Sequence, residues 1–105
     1  MDDELYLIGQ SFEKNQFGVQ IPTTTRRKVL IRVDDITRAE FSSAGRNGLN
    51  PEFKFTVFFG DYAGEAVCEY NSKTYSIYRT YRVPGTDDLE LYVERKGGTN
   101  GIKEQ

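Results

Sequence analysis

Alternation of apolar and polar residues narrows what this chain can fold into more than any other feature, and it is densest between Glu69 and Arg95. Tyr75, Ile77, Tyr81 and Val83 share one parity, with Arg79 as the polar member among them. Thr74, Ser76, Tyr78, Thr80 and Arg82 take the other. Successive side chains of a strand point to opposite faces, so this spacing predicts a strand with one largely apolar face and one mixed face. Pro84-Gly85-Thr86-Asp87-Asp88 interrupts the run: the proline lacks a donor, the glycine tolerates positive φ and the aspartates suit a solvated turn. Leu89, Leu91 and Val93 resume the alternation against Glu90, Tyr92 and Glu94, which completes a predicted β-hairpin.

The rest of the chain carries the same signal in shorter pieces. Leu5-Tyr6-Leu7-Ile8 is a predicted strand ended by Gly9, and Asn15-Gln16-Phe17-Gly18 a turn into Val19-Gln20-Ile21-Pro22. Pro22 cannot donate to a ladder, which places this piece at an edge or a strand end. Thr23 to Lys28 is polar, a solvated hairpin arm in preference to a phosphate-binding patch despite Arg26-Arg27-Lys28. Val29, Ile31 and Val33 share a face of the next strand. Thr37 followed by Glu40 fits a capping box and opens a short predicted helix, Arg38 to Ala44, that Gly45 stops. Arg46 to Pro51 is rich in turn formers. Phe53, Phe55, Val57 and Phe59 alternate with Lys54, Thr56 and Phe58, Gly60 to Gly64 is a loop, Ala66 to Tyr70 a strand, and Asn71-Ser72 a tight turn. Six or seven short antiparallel strands with one brief helix predict a mainly β domain, a small barrel or sandwich over residues 1–96, with a flexible tail over 97–105.

Composition then excludes most chemistry. Of 105 residues, 37% are hydrophobic and 29% charged, enough for one small core in a globular domain. No histidine is present, which removes Ser/His and Cys/His nucleophile pairs and histidine-ligated metals, and the single cysteine, Cys68, can build neither an intrachain disulfide nor a zinc cage. Alternation about Cys68 makes it a buried strand thiol. The carboxylate pairs Asp2-Asp3, Asp34-Asp35 and Asp87-Asp88 fall in a terminus and in turns, so no catalytic residue, metal or cofactor is expected, and the chain reads as a non-enzyme. Acidic residues number 16 against 14 basic, and residues 1–52 hold eight acids and seven bases, as do residues 53–105. Such balance speaks against tight non-specific phosphate binding. Acidic residues after Met1 are the wrong charge for a secretory leader, and no apolar run reaches the length of a membrane span.

The order of these pieces carries a resemblance. A strand, then ITRAEF-SSAG-NGL-PEFKFTV, then GEAVCEYNSKTYSIYRTY, then a turn and LELYVERK is similar to the head closure (head completion, or head–tail joining) proteins of tailed bacteriophages, in the form found in prophages of low-GC Gram-positive bacteria. The likeness runs from about Leu5 to Lys96 and is strongest over Ile36 to Val57 and Glu69 to Glu94. It implies a small antiparallel β-barrel with a projecting loop, placed in the virion as a ring beneath the portal and its adaptor. There it closes the head after DNA packaging and offers the tail its attachment surface. The implied partners are adaptor, portal and tail proteins, with a homo-oligomeric ring in the virion, a monomer in isolation, and at most weak contact with packaged DNA. The loop that enters the channel in the family maps onto Thr37 to Glu52, with Thr37, Arg38, Glu40, Phe41, Arg46, Asn47, Gly48, Leu49 and Asn50 as its candidate residues. The alternative for that segment is a packed cap over one barrel end. Tyr78, Arg82 and Tyr92, on the exposed parity, are the candidate subunit interface, since tyrosine and arginine are favoured at such surfaces. A competing reading is a small OB-like barrel that stacks single-stranded bases on surface aromatics, which would require a basic groove.

Overall fold

The alternating segments become six strands, β1 (Asp3–Lys14), β2 (Gln20–Asp35), β3 (Pro51–Phe58), β4 (Val67–Tyr70), β5 (Lys73–Arg82) and β6 (Asp88–Arg95). Helix α1 (Arg38–Gly45) joins β2 to β3, and a 3₁₀ turn, Phe59–Asp61, follows β3. The computed structural model describes residues 3–96, and the expected tail over 97–105 lies outside the described residues. All neighbouring strands are antiparallel and close into a barrel in the order β1-β2-β3-β6-β5-β4. The mainly β barrel expected from the sequence is the observed architecture.

Closure gives every inward side chain a wall to face. Leu5, Leu7, Val29, Ile31, Phe55, Val57, Cys68, Tyr75, Leu91 and Val93 form the core, with Phe53, Tyr62, Tyr70 and Ile77 packed against it. Removing each large side chain from water contributes about 1.5–3 kcal/mol, so this cluster is the main source of stability. At its centre the ring of Phe55 lies 5.1 Å from that of Tyr70 and 6.3 Å from that of Tyr75, in the tilted and edge-on arrangements aromatic quadrupoles favour. The interior is thus filled by side chains.

Turn chemistry sets the registers. Tyr70 pairs with Lys73 across Asn71-Ser72, whose φ angles of 52° and 65° give the left-handed two-residue turn that matches strand twist. Pro84 and Gly85, the latter at φ 75°, occupy the centre of a turn in which Thr86 N–H donates to Val83 O at 3.3 Å. Asn15 closes the first hairpin: its Oδ1 accepts from Phe17 N–H at 2.8 Å and Val19 N–H at 3.1 Å, while Gly18 takes φ 79°.

Two features depart from the sequence reading. Gly9 does not end the first strand. It pairs with Thr25, and β1 runs on to Lys14 against β2 as far as Gln20. A Cβ at Gly9 would lie 2.7 Å from Thr25 Oγ1, so glycine here permits a close approach of two strands where it was expected to break one. Among the described residues β1 has no partner beyond Ile8 except β2, and β2 meets β3 only from Arg32 to Asp35. The result is a two-stranded arm reaching out of the barrel. Second, β5 shifts register between Ile77, opposite Val93, and Arg79, opposite Tyr92, so Tyr78 is a bulge residue. An extra residue reverses every later parity. Arg79 and Tyr81 therefore share the outer face with Tyr92 and Glu90, while Thr80 and Arg82 share the opposite face with Leu91 and Leu89.

Candidate functional site

The two residue sets singled out in the sequence meet on the outer wall of the barrel. Thr37 caps α1, its Oγ1 accepting from Glu40 N–H at 3.2 Å. The reciprocal half of the capping box does not form, because the Glu40 carboxylate is drawn to β5. Tyr78 donates its hydroxyl to Glu40 Oε2 at 2.8 Å, and Arg79 donates to Glu40 Oε1 at 2.6 Å. A charge-assisted contact to a guanidinium outweighs a bond to one backbone amide, so the side chain turns from its own helix to the barrel. The Arg79 guanidinium lies 3.9 Å from the centre of the Tyr92 ring. Tyr92 donates to Glu90 Oε1 at 2.7 Å, and Lys54 Nζ stands 3.4 Å from Glu90 Oε2. One polar chain thus runs Tyr78–Glu40–Arg79–Tyr92–Glu90–Lys54 across α1, β5, β6 and β3.

The titration of these groups follows from that contact chain. Burial alone would raise the Glu40 carboxyl, but bonds from Arg79 and Tyr78 and the charge of Arg79 outweigh it and hold it below the usual carboxylate range. Burial, then the bond to Glu40, pushes the Tyr78 phenol well up, and burial with the bond to Glu90 brings Tyr92 to about 12. Both phenols are therefore neutral donors at neutral pH. Beside the cluster, Thr56 Oγ1 is buried without a hydrogen-bond partner among the described residues.

The channel-loop candidates divide. Glu40 and the buried Ala44 fasten α1 to the barrel, and Leu49 N–H returns to Ala44 O at 3.0 Å. Asn47 donates to Ser43 O at 3.2 Å, Gly48 turns the chain at φ 79°, and Asn50 N–H donates to Glu94 Oε1 at 3.1 Å. Arg38, Phe41 and Arg46 are exposed. Between α1 and β5 lies a shallow groove of about 440 Å³ walled by Glu40, Asn47, Leu49 and Tyr78. The interface candidates divide too. Tyr78 and Tyr92 stand with ring centres 6.4 Å apart, but the bulge turns Arg82 to the other face, where it stacks 3.7 Å over the Phe59 ring and donates to Thr86 O. The single parity expected of Tyr78, Thr80, Arg82 and Tyr92 is not found.

Sequence reading missed Arg79, Glu90 and Lys54, and, although it placed a solvated hairpin arm at Thr23 to Lys28, it missed the run of β1 past Gly9 that carries the arm out to Lys14. Arg79 had a signal, being the one polar residue on an otherwise apolar parity. On the arm, Phe12, Phe17, Val19 and Ile21 are 61%, 79%, 56% and 46% exposed. The basic run at its root is neutralised: Arg26 pairs with Glu69, Arg27 with Glu65 at 2.8 Å and Lys28 with Glu4 at 3.6 Å. Cys68 is fully buried, and burial pushes its thiol up to about 12, which leaves no thiolate nucleophile at neutral pH. Among the described residues no group of acidic or cysteine side chains converges as a metal site, and no helix is long and apolar enough to cross a membrane. No protein-family model matches the chain, and a search of curated proteins returns no match.

Proposed function

We propose that this chain is a structural subunit of a phage head–tail connector: it joins the portal and adaptor as a ring, closes the filled head and offers the tail a surface. The observation that carries the reading is a barrel with its interior filled by side chains and exposed apolar residues on its outside, Phe41 on α1 and Phe12 and Phe17 on the arm. A packed interior leaves the outer surface to do the work, and exposed apolar groups on it suit a part held against neighbours in an assembly. The sequence resemblance supplies the identity of those partners. Docking of α1 by Glu40 leaves Arg38 and Arg46 exposed and in no ion pair among the described residues, and Asp35 stands close by in sequence. Mixed charge of this kind halts a duplex without gripping it, which later ejection requires.

Inactivating the reading frame in its phage or prophage and imaging induced lysates tests this. Filled heads that leak DNA, accumulating beside unattached tails, are expected. Normal infectious particles would overturn the proposal, as would micromolar or tighter binding of single-stranded DNA by the purified chain at physiological salt, which is the behaviour of an OB-type module.

A further inference from the structure

The arm is an open-edged ribbon. Between Gln10 and Lys14, β1 is paired with β2 alone, because its ladder with β4 ends at Ile8–Val67. Antiparallel pairs alternate between bonded and non-bonded, and Asn15 N–H donates to Val19 O at 3.0 Å. Counting back along the register from that bonded pair places Phe12–Pro22 on a non-bonded one. The Pro22 nitrogen therefore faces away from β1, and the outer edge of β2 lacks a donor there. The outer edge of β1 carries no such block. The backbone groups of Gln10, Phe12 and Lys14 point into solvent.

A second open edge lies on β5. Its ladder with β4 runs out at Val67–Ser76, with Ile77 N–H on Ala66 O at 2.9 Å just beyond, so from Tyr78 to Arg82 one edge is free among the described residues. Beside that edge Phe58, Phe59 and Tyr81 are 52%, 40% and 45% exposed, with the two phenylalanine rings 5.3 Å apart. Within one chain β4 stands between β1 and β5. The arm carries Glu13 and Lys14 and is neutral overall, and Arg79 and Arg82 of the β5 edge pair with Glu40 and Asp87, so like charges do not oppose the approach of one edge to the other.

We infer that the arm clasps a second copy of this chain: β1, from Gln10 to Lys14, adds as a strand to the free β5 edge of that copy, and Phe12 and Phe17 pack on its Phe58, Phe59 and Tyr81. Main-chain bonds supply the register and the aromatic groups the burial, the division of labour in strand addition. At the areas that large aromatic side chains present, Phe12 and Phe17 together expose on the order of 300 Å² of apolar surface and the receiving patch about the same. With the polar residues of the ribbon included, the contact stays below the roughly 800 Å² that each partner buries in a standard interface. It is small enough to leave dilute protein monomeric. The contact joins two different surfaces, so it repeats around an axis. It rests on the connector reading only for the closing of that repeat into a ring.

Sedimentation velocity of the full chain, from about ten micromolar to about one millimolar, tests the clasp. The native chain should sediment faster as concentration rises, and the Phe12→Asp, Phe17→Asp double variant, altered only outside the core, should lose association at least tenfold. A photo-crosslinking residue at Phe17 should join peptides containing Phe58 to Tyr62 or Thr80 to Arg82 of another copy. A concentration-independent monomer, association that the double variant leaves untouched, or crosslinks confined elsewhere would each overturn the clasp. The outcomes are separable. Normal particles without the gene sink the connector reading and leave the clasp standing, whereas failed self-association does the reverse.

Discussion

Replacing Glu40 with alanine should show how much of the molecule hangs on one carboxylate. Its side chain is 14% exposed and accepts from both Tyr78 and Arg79. A hydrogen bond to a charged group contributes about 1.5–3 kcal/mol. The Tyr78 bond, half-buried, deserves a figure inside that range. The Arg79 side chain is 43% exposed and stays solvated when its partner goes, which reduces its share to about 1 kcal/mol or less. Together the loss is about 2–3 kcal/mol. At roughly 4–8 °C per kcal/mol for a domain of this size, the melting temperature should fall by about 10–20 °C. An eight-residue helix does not persist without its tertiary anchor, so amides from Arg38 to Ala44 should also exchange faster. Glu40→Gln, which keeps an acceptor oxygen but loses the charge, should fall between the two. Calorimetry and native-state hydrogen exchange are the assays, with Tyr78→Phe closing a double-mutant cycle. A melting temperature within about 2 °C of the native value, with unchanged protection over α1, would refute the anchor. Acid should act in the same direction: the folded Glu40 titrates below its unfolded value of 4.5, so its contribution is complete above that pH and is lost as pH falls through the folded value.

Two further outcomes follow from the same wall. Tyr92 is held up at about 12 by burial and Glu90, and Tyr78 is also raised, both from an ordinary value of 10. The stability these phenols bring is therefore whole below pH 10 and drains as pH climbs toward 12, and absorbance titration should show them ionising after free tyrosine; release of every phenolate near pH 10 while the barrel stays folded would contradict the contacts. Thr56→Val removes a buried hydroxyl that has no partner and keeps the shape, so stability should rise by about 1 kcal/mol, measured by denaturant unfolding, whereas a loss of that size would show the hydroxyl to be satisfied.

What could be read from the sequence was what depends on neighbours along the chain. Asn71-Ser72 and Pro84-Gly85 announce their turns because few other residues adopt those backbone angles, and Thr37 announces a helix start because its hydroxyl reaches an amide three residues on. The strands β3 and β6 alternate cleanly because both bury one whole face. What escaped depends on contacts far along the chain. Nothing local to Glu40 shows that Tyr78 and Arg79 will claim its carboxylate. The bulge at Tyr78 is silent because tyrosine and arginine can each tolerate either face, so the sequence looks equally regular in both registers. The outer half of β1 escaped because Gly9 reads as a stop and Gln10 and Ser11 carry no hydrophobic period, although their ladder with Thr23 and Thr24 continues unbroken.

The hairpin of β1 and β2 is stapled to itself by twelve residue pairs but to the rest of the barrel by only three on one side and four on the other. It behaves as a stiff oar in a short rowlock. At about 3.3 Å per residue the free part is on the order of 20 Å long, so a tilt of about 10° at the two seams sweeps Phe17 through about 3 Å. Small adjustments of strand pairing at the base thus become large changes of reach at the tip, and a neighbour's position can be matched without disturbing the packed interior.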